Sequence, residues 1–383
     1  MIEIYSPISS LQSGCWFKLI CGASFQHLPA IRNLTLAYAL GGADCIDVAA
    51  DPAVIAATQE ALGVACALQE EAQARGFLMV TKPWLMVSLN DGDDPHFRKA
   101  VFDPRFCPST CPRPCEGICP AEAIPGRDYA NAFGENPGVI EALCYGCGRC
   151  LPVCPSQLIT AQSYVSTPEI VVPLLFDRGI DALEIHTQTG HFEGFQRLWQ
   201  AIAPYQHQLK LLAISCPDHQ DLILYLKTLY QWVSPLPCPL IWQTDGRPMS
   251  GDIGKGATRA AVKLAEKVLA AHLPGYVQLA GGTNQQTVEK LRRAKLLNLN
   301  PSLISSEQTI AGVAYGSYAR TQLTSLLHQL EERSQSPCGK PQLEHHPDLL
   351  WQAVTLAHQL VAPLKRSPPV SRQEGEKPGV GSS

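Results

Sequence analysis

Two cysteine runs carry the chemistry that this sequence advertises. One, CYGCGRCLPVCP (144–155), spaces Cys144, Cys147, Cys150 and Cys154 as C-x2-C-x2-C-x3-C-P. That is the spacing with which thiolates ligate iron–sulfur clusters. Three thiolates must reach three corners of one small cubane, so two-residue loops containing Gly146 and Gly148 fold tightly around it. The fourth cysteine, ahead of Pro155, points to a second cluster. The other run, CPSTCPRPCEGICP (107–120), sets Cys107, Cys111, Cys115 and Cys119 four residues apart and ends in the same Cys-Pro pair. An i, i+4 rhythm would align them on one helix face. Prolines at 108, 112, 114 and 120 oppose that, since each lacks an N–H and clashes with the preceding turn. The residue before each proline is pushed to extended geometry as well. The run therefore reads as a stiff loop without regular helix. By the crossed ligation of two-cluster ferredoxins, Cys119 joins Cys144, Cys147 and Cys150 on a 4Fe-4S cluster. Cys107, Cys111, Cys115 and Cys154 then hold the other. The extra residue in each C-x3-C step leaves 4Fe-4S, 3Fe-4S or altered ligation open there. AEAI (121–124) and SQLI (156–159), after each Cys-Pro, are expected as short helices packed on the clusters.

The elements that must position these thiols alternate. Apolar, β-branched runs at 18–24, 44–50 and 83–90 read as strands, with helical spacing at 29–43 and 51–76 between them. The cysteine segment interrupts, and the alternation then resumes. Strands are expected at 182–187, 209–215, 238–244, 275–281 and 310–316, with helices at 192–203, 221–233, 256–271 and 285–297. Such βα alternation implies a parallel sheet with right-handed crossovers. Eight units over roughly 250 residues suit a (β/α)8 barrel. A doubly wound sheet is the alternative, weakened because no Gly-rich dinucleotide fingerprint follows the first strand. The expected fold is thus an α/β, (β/α)8 barrel-like chain with an inserted two-cluster ferredoxin-like module. Residues 1–97 hold the first barrel units, 98–165 the insertion, 166–335 the remaining units, 336–364 a helical extension and 365–383 a disordered tail.

The chain has 383 residues, 45% of them hydrophobic, and a net charge of -4. With no basic block, a nucleic-acid partner is not expected. No apolar run is long enough to span a membrane, and the N-terminus lacks signal-peptide features, so a cytoplasmic protein is expected. Eight of the fifteen cysteines fall between 107 and 154. In a reducing compartment that clustering points to metal rather than disulfides.

Weaker candidates lie at the expected strand ends. GDIGKGAT (251–258) fails the Walker pattern, but Arg247, Asp252, Lys255 and Arg259 could bind an anion after the sixth strand. Gly281, Gly282, Gly316 and Ser317, after strands seven and eight, could cradle a phosphate or flavin phosphate. Tight turns explain the same glycines. His186 and His191 end the fourth strand and read first as structural histidines, while Cys21 and Cys216 read as buried packing thiols. No acid/base constellation stands out.

Taken together, residues 18–55, the paired cysteine runs and CPLIWQTDGRPMSGDIGKGATRAA (238–261) resemble the cyanobacterial light-dependent period (LdpA) family. The resemblance spans roughly residues 12–362. It implies an iron–sulfur protein in light and redox input to the circadian clock, with clock and input-kinase proteins as partners. A quinone or another redox carrier is a further candidate partner. Two functions compete: a redox-sensing regulator, favoured here, and a barrel oxidoreductase, with or without flavin, that uses the clusters as an electron relay.

Overall fold

The computed structural model describes residues 6–21, 27–92, 98–119, 121–129, 136–141, 143–144, 149–163, 167–246, 257–298, 309–333 and 341–365. Its strands are β1 (Trp16–Ile20), β2 (Cys45–Ala49), β3 (Trp84–Asn90), β4 (Arg98–Val101), β5 (Thr160–Ser163), β6 (Ala182–His186), β7 (Leu211–Pro217), β8 (Leu240–Asp245), β9 (Tyr276–Ala280) and β10 (Gly312–Tyr315). Eight of them close a barrel in the order β1-β10-β9-β8-β7-β6-β3-β2. Every pair in it is parallel. The barrel expectation holds, and the open sheet does not.

The helices are α1 (Pro7–Gln12), α2 (Leu28–Gly41), α3 (Pro52–Ala67), α4 (Gln69–Ala74), α5 (Pro114–Ile118), α6 (Cys150–Val153), α7 (Pro168–Asp177), α8 (Phe192–Ile202), α9 (Leu222–Val233), α10 (Ala257–Leu269), α11 (Thr287–Arg293), α12 (Ser317–Arg333) and α13 (Pro347–Lys365). Among the described residues none is long and apolar enough to cross a membrane. Several expectations shift. The first strand, expected at 18–24, starts at Trp16, because Trp16 turns into the barrel and Phe17 stacks outward on Tyr315, and is described to Ile20; residues 22–24 lie outside the described residues. The helix expected at 51–76 breaks at Leu68 into α3 and α4. The sequence reading missed α7 and α12.

Burial explains the alternation along each strand. Phe17, Leu19, Ile46, Val48, Leu183 and Ile185 face the surrounding helices. Trp16, Cys45, Met86, Ala182, Leu211 and Ile241 fill the N-terminal half of the barrel, where Leu11 of α1 joins them. Period-2 side-chain direction requires that separation.

The last helix is tied in by charge. α13 extends through Lys365, into the expected tail, because that side chain is fully buried against the barrel base. Its Nζ lies 2.6 and 2.5 Å from the two Asp44 carboxylate oxygens and 2.8 Å from Ser10 Oγ. Asp44 Oδ2 also accepts the Phe17 N–H at 2.7 Å. Removing one member of a buried pair strands the other charge. Lys365→Met is therefore expected to destabilise the fold by about 3–5 kcal/mol in denaturant unfolding. A loss under about 1 kcal/mol would assign the pair a surface-like role.

Candidate iron–sulfur centre

The insertion leaves the barrel at the end of β3 and returns through α7 to β6. Asn90 and His186 are still register partners across that opening. A short antiparallel ribbon closes its neck, pairing Arg98 with Ser163, Lys99 with Gln162, Ala100 with Ala161 and Val101 with Thr160. Lys99 fastens it to the barrel. Its buried Nζ donates to the Glu141 carbonyl at 2.8 Å and lies 3.4 Å from Asp51 Oδ2. Asp51 in turn caps α3 by accepting from the Ala53 and Val54 N–H groups. Gly138 has φ 75°, and a Cβ there would come within 2.2 Å of the Phe102 carbonyl oxygen. Only glycine lets the chain at 138 lie against Phe102, the residue that follows the ribbon strand.

The first cysteine run contains a helical turn that the sequence reading excluded. α5 starts with Pro114 at its first position, where a missing N–H costs no hydrogen bond. Arg113 precedes it at φ 51°. The helices expected at 121–124 and 156–159 are turns instead. Glu122 and Gln157 both take positive φ, 51° and 52°, which interrupts a right-handed helix. Their N–H groups bond back to the Cys119 and Cys154 carbonyls, each at 3.1 Å. The two Cys-Pro halves thus share one turn. The helical pieces lie before the Cys-Pro pairs, where α5 and α6 pack on each other and bury Cys115 and Cys150.

Sulfur atoms accept backbone N–H groups throughout. Arg113 N donates to Cys111 Sγ at 3.4 Å, Ala123 N to Cys119 Sγ at 3.3 Å and Ala100 N to Cys144 Sγ at 3.4 Å. Burial pushes the Cys154 thiol up, but N–H groups of Ile159, Leu158, Ser156 and Gln157 outweigh it and hold it below the usual thiol value. Cys107 meets the Cys111 side chain, and Cys115 feels Cys154 electrostatically. All seven described cysteines of the two runs are free thiols. N–H donors aimed at sulfur favour the thiolate and tune a bound cluster, so this donor set fits an iron–sulfur group. Among the described residues no three His, Cys, Asp or Glu side chains already converge as a metal site. Cys147 lies outside the described residues.

Light dependent period A of Synechococcus elongatus is 51% identical over 361 residues, covering 94% of this chain and 94% of its own. The chain belongs to the light dependent period A family. The family's profiles divide it between an "LdpA Fe-S cluster-binding domain" at 107–165 and a "Light dependent period A C-terminal domain" at 174–363. The cysteine segment is thus an iron–sulfur binding domain. Solved structures give distant likenesses only. Mycobacterium tuberculosis tryptophan synthase matches with TM-score 0.41 and 12% identity, over 94% of this chain and 97% of that one. The carboxyl transferase domain of Rhizobium etli pyruvate carboxylase matches with TM-score 0.40 and 11% identity, over 94% and 52%.

The anion candidates divide. Arg247, Asp252 and Lys255 lie outside the described residues, and Arg259 is exposed on α10. Gly281 and Gly282 take positive φ, 67° and 85°, in a turn after β9. That turn is held by Thr258 Oγ1 donating to the Gly282 carbonyl at 2.9 Å and Thr283 Oγ1 to the Ala314 carbonyl at 2.7 Å. Gly316 and Ser317 lead into α12. Burial pushes the Cys21 and Cys216 thiols up to about 12, which suits packing. His191 is half-exposed, 3.3 Å from Asp91.

The constellation that sequence reading missed lies inside the barrel. Lys18 Nζ meets Glu184 Oε2 and sits 3.0 Å from Asp47 Oδ2. Asp47 Oδ1 accepts from Ser88 Oγ at 2.6 Å, and Glu184 Oε1 accepts from Gln243 Nε2 at 2.6 Å. His186 Nε2 stands 3.3 Å from that same Glu184 oxygen. Burial would lower the Lys18 ammonium, but Asp47 and Glu184 hold it above the usual lysine value. Burial pushes Asp47 up, while Lys18 and His186 overcome burial at Glu184 and hold it down. A lone charge in each of several apolar strands was the available signal.

Lys99→Met would leave the Glu141 carbonyl with only the Cys144 N–H, 3.2 Å away, and Asp51 without its cation, a loss of about 1–3 kcal/mol. Hydrogen exchange at 98–101 and 160–163 should then accelerate while the strands β7 to β9 keep their protection. Unchanged ribbon exchange would contradict the anchoring role.

Proposed function

We propose that this chain is an iron–sulfur redox sensor that relays light-dependent cellular redox state to the circadian clock. The observation that carries the proposal is family membership together with the cluster-binding domain at 107–165. Two clusters are assigned: a 4Fe-4S group on Cys144, Cys147, Cys150 and Cys119, and a 4Fe-4S or 3Fe-4S group on Cys107, Cys111, Cys115 and Cys154. Such groups supply a one-electron change of charge. The protein's part is to turn that change into a surface. The Cys144 loop hangs on Ala100 and Glu141, and Lys99 joins both to Asp51 at the start of α3. Movement at the sulfur is thereby transmitted to the barrel rim. Clock and input-kinase proteins are the proposed readers, and a quinone or another redox carrier the proposed electron source.

A sensor works only if its two states differ in partner affinity. The dithionite-reduced and oxidised proteins are expected to bind a clock or input-kinase partner with affinities differing roughly tenfold or more. Equal affinities would contradict the sensor. The barrel's buried charges favour a second reading, an oxidoreductase drawing electrons through the clusters. Flavin bands in the spectrum of anaerobically purified protein would support it.

A further inference from the structure

The first cysteine run has a backbone that its own donors cannot satisfy. Prolines at 108, 112 and 114 supply carbonyls but no N–H groups. The chain there is also open to water. Cys107 and Cys111 are half-buried, Pro108, Ser109, Thr110 and Pro112 are exposed, and the Phe106 ring beside them is 70% exposed. Apolar burial therefore holds this stretch weakly, whereas Cys144 and Cys150 of the second run belong to the buried core.

One turn absorbs the extra residue of the Cys107–Cys111 step, with Cys111 N donating to the Pro108 carbonyl at 3.0 Å. The carbonyls at both ends of that turn meet a single side chain. Arg127 Nη2 donates to the Pro108 carbonyl at 2.7 Å and to the Cys111 carbonyl at 3.1 Å. The segment that carries Arg127 is fixed in return. Arg113, only 6% exposed, donates from Nη2 to the Pro125 carbonyl at 2.8 Å. The Gly126 carbonyl accepts Tyr129 N and Asn136 Nδ2, each at 3.1 Å. The two arginines differ in charge balance. Arg113 meets the Glu116 carboxylate, while among the described residues no carboxylate pairs with Arg127. Its positive charge rests against the Cys111 backbone. A cation beside a cluster favours the reduced, more negative state, because nearby charge sets the potential.

We propose, on the two-cluster assignment above, that Arg127 is the positioning residue of the first cysteine run: its guanidinium pins the Pro108–Cys111 turn that brings Cys107 and Cys111 to one cluster, and its charge raises that cluster's reduction potential.

EPR-monitored redox titration of the full-length, cluster-loaded protein tests it, with Cys107→Ala identifying the signal of the first-run cluster. Arg127→Gln is expected to disfavour reduction of that cluster roughly fivefold, about 40 mV at 59 mV per decade, and to leave the other cluster within about twofold. Arg127→Lys keeps the charge and should hold the potential within about twofold of the unsubstituted protein, which a merely structural loss would not do. Hydrogen exchange over 109–113 should accelerate roughly tenfold in Arg127→Gln. An unshifted potential in Arg127→Gln, an equal shift in Arg127→Lys, or unchanged exchange would overturn the proposal. Iron content of the unsubstituted protein separates the two failures. One cluster per chain contradicts the two-cluster assignment and the proposal with it, whereas two clusters with no effect of Arg127→Gln overturn the proposal alone.

Discussion

Parallel closure of the barrel is the constraint on which everything else depends. Eight strands running one way bring all their C-terminal ends to a single rim. A segment inserted directly after a strand, ahead of the crossover helix, emerges there, beside whatever the strands point upward. The cysteine domain interrupts the crossover between β3 and β6. Asp91 N, its first backbone donor, still bonds the His186 carbonyl at 3.1 Å. The iron–sulfur domain and the polar barrel mouth are therefore neighbours by topology.

Two devices reconcile a long insertion with a closed sheet. The ribbon of β4 and β5 brings the ends of the cysteine domain together, so the register of β3 on β6 runs unbroken from Met86–Ala182 to Asn90–His186. Lys99 adds a polar tether to the apolar contact that Ala100, Phe102, Val139 and Cys144 make with the core. At the opposite end of the barrel, Lys365 and Asp44 do the same for α13. Both are buried cations meeting carboxylates next to a backbone hydrogen bond. In each case the pairing limits the penalty of burying charge.

What was legible in the sequence follows from locality. Ligand spacing in CYGCGRC is local, so the iron–sulfur reading needed only a dozen residues. Strand and helix periodicity is also local, and it gave the barrel. The ribbon is not: 98–101 and 160–163 are short, and only their pairing makes them strands. The turns at Glu122 and Gln157 depend on backbone geometry that composition does not announce. The polar layer escaped for a similar reason. Lys18, Asp47 and Glu184 each look like a stray charge until closure brings three strands together. Lys365 resembled the start of a polar tail because its carboxylate partner lies 321 residues away.

Iron and sulfide content with EPR, on anaerobically purified full-length protein, tests the central claim most directly. Two clusters per chain are predicted, roughly eight iron atoms, or seven if the site on Cys107, Cys111 and Cys115 holds three. A single cluster per chain, or zinc in place of iron, would contradict the account.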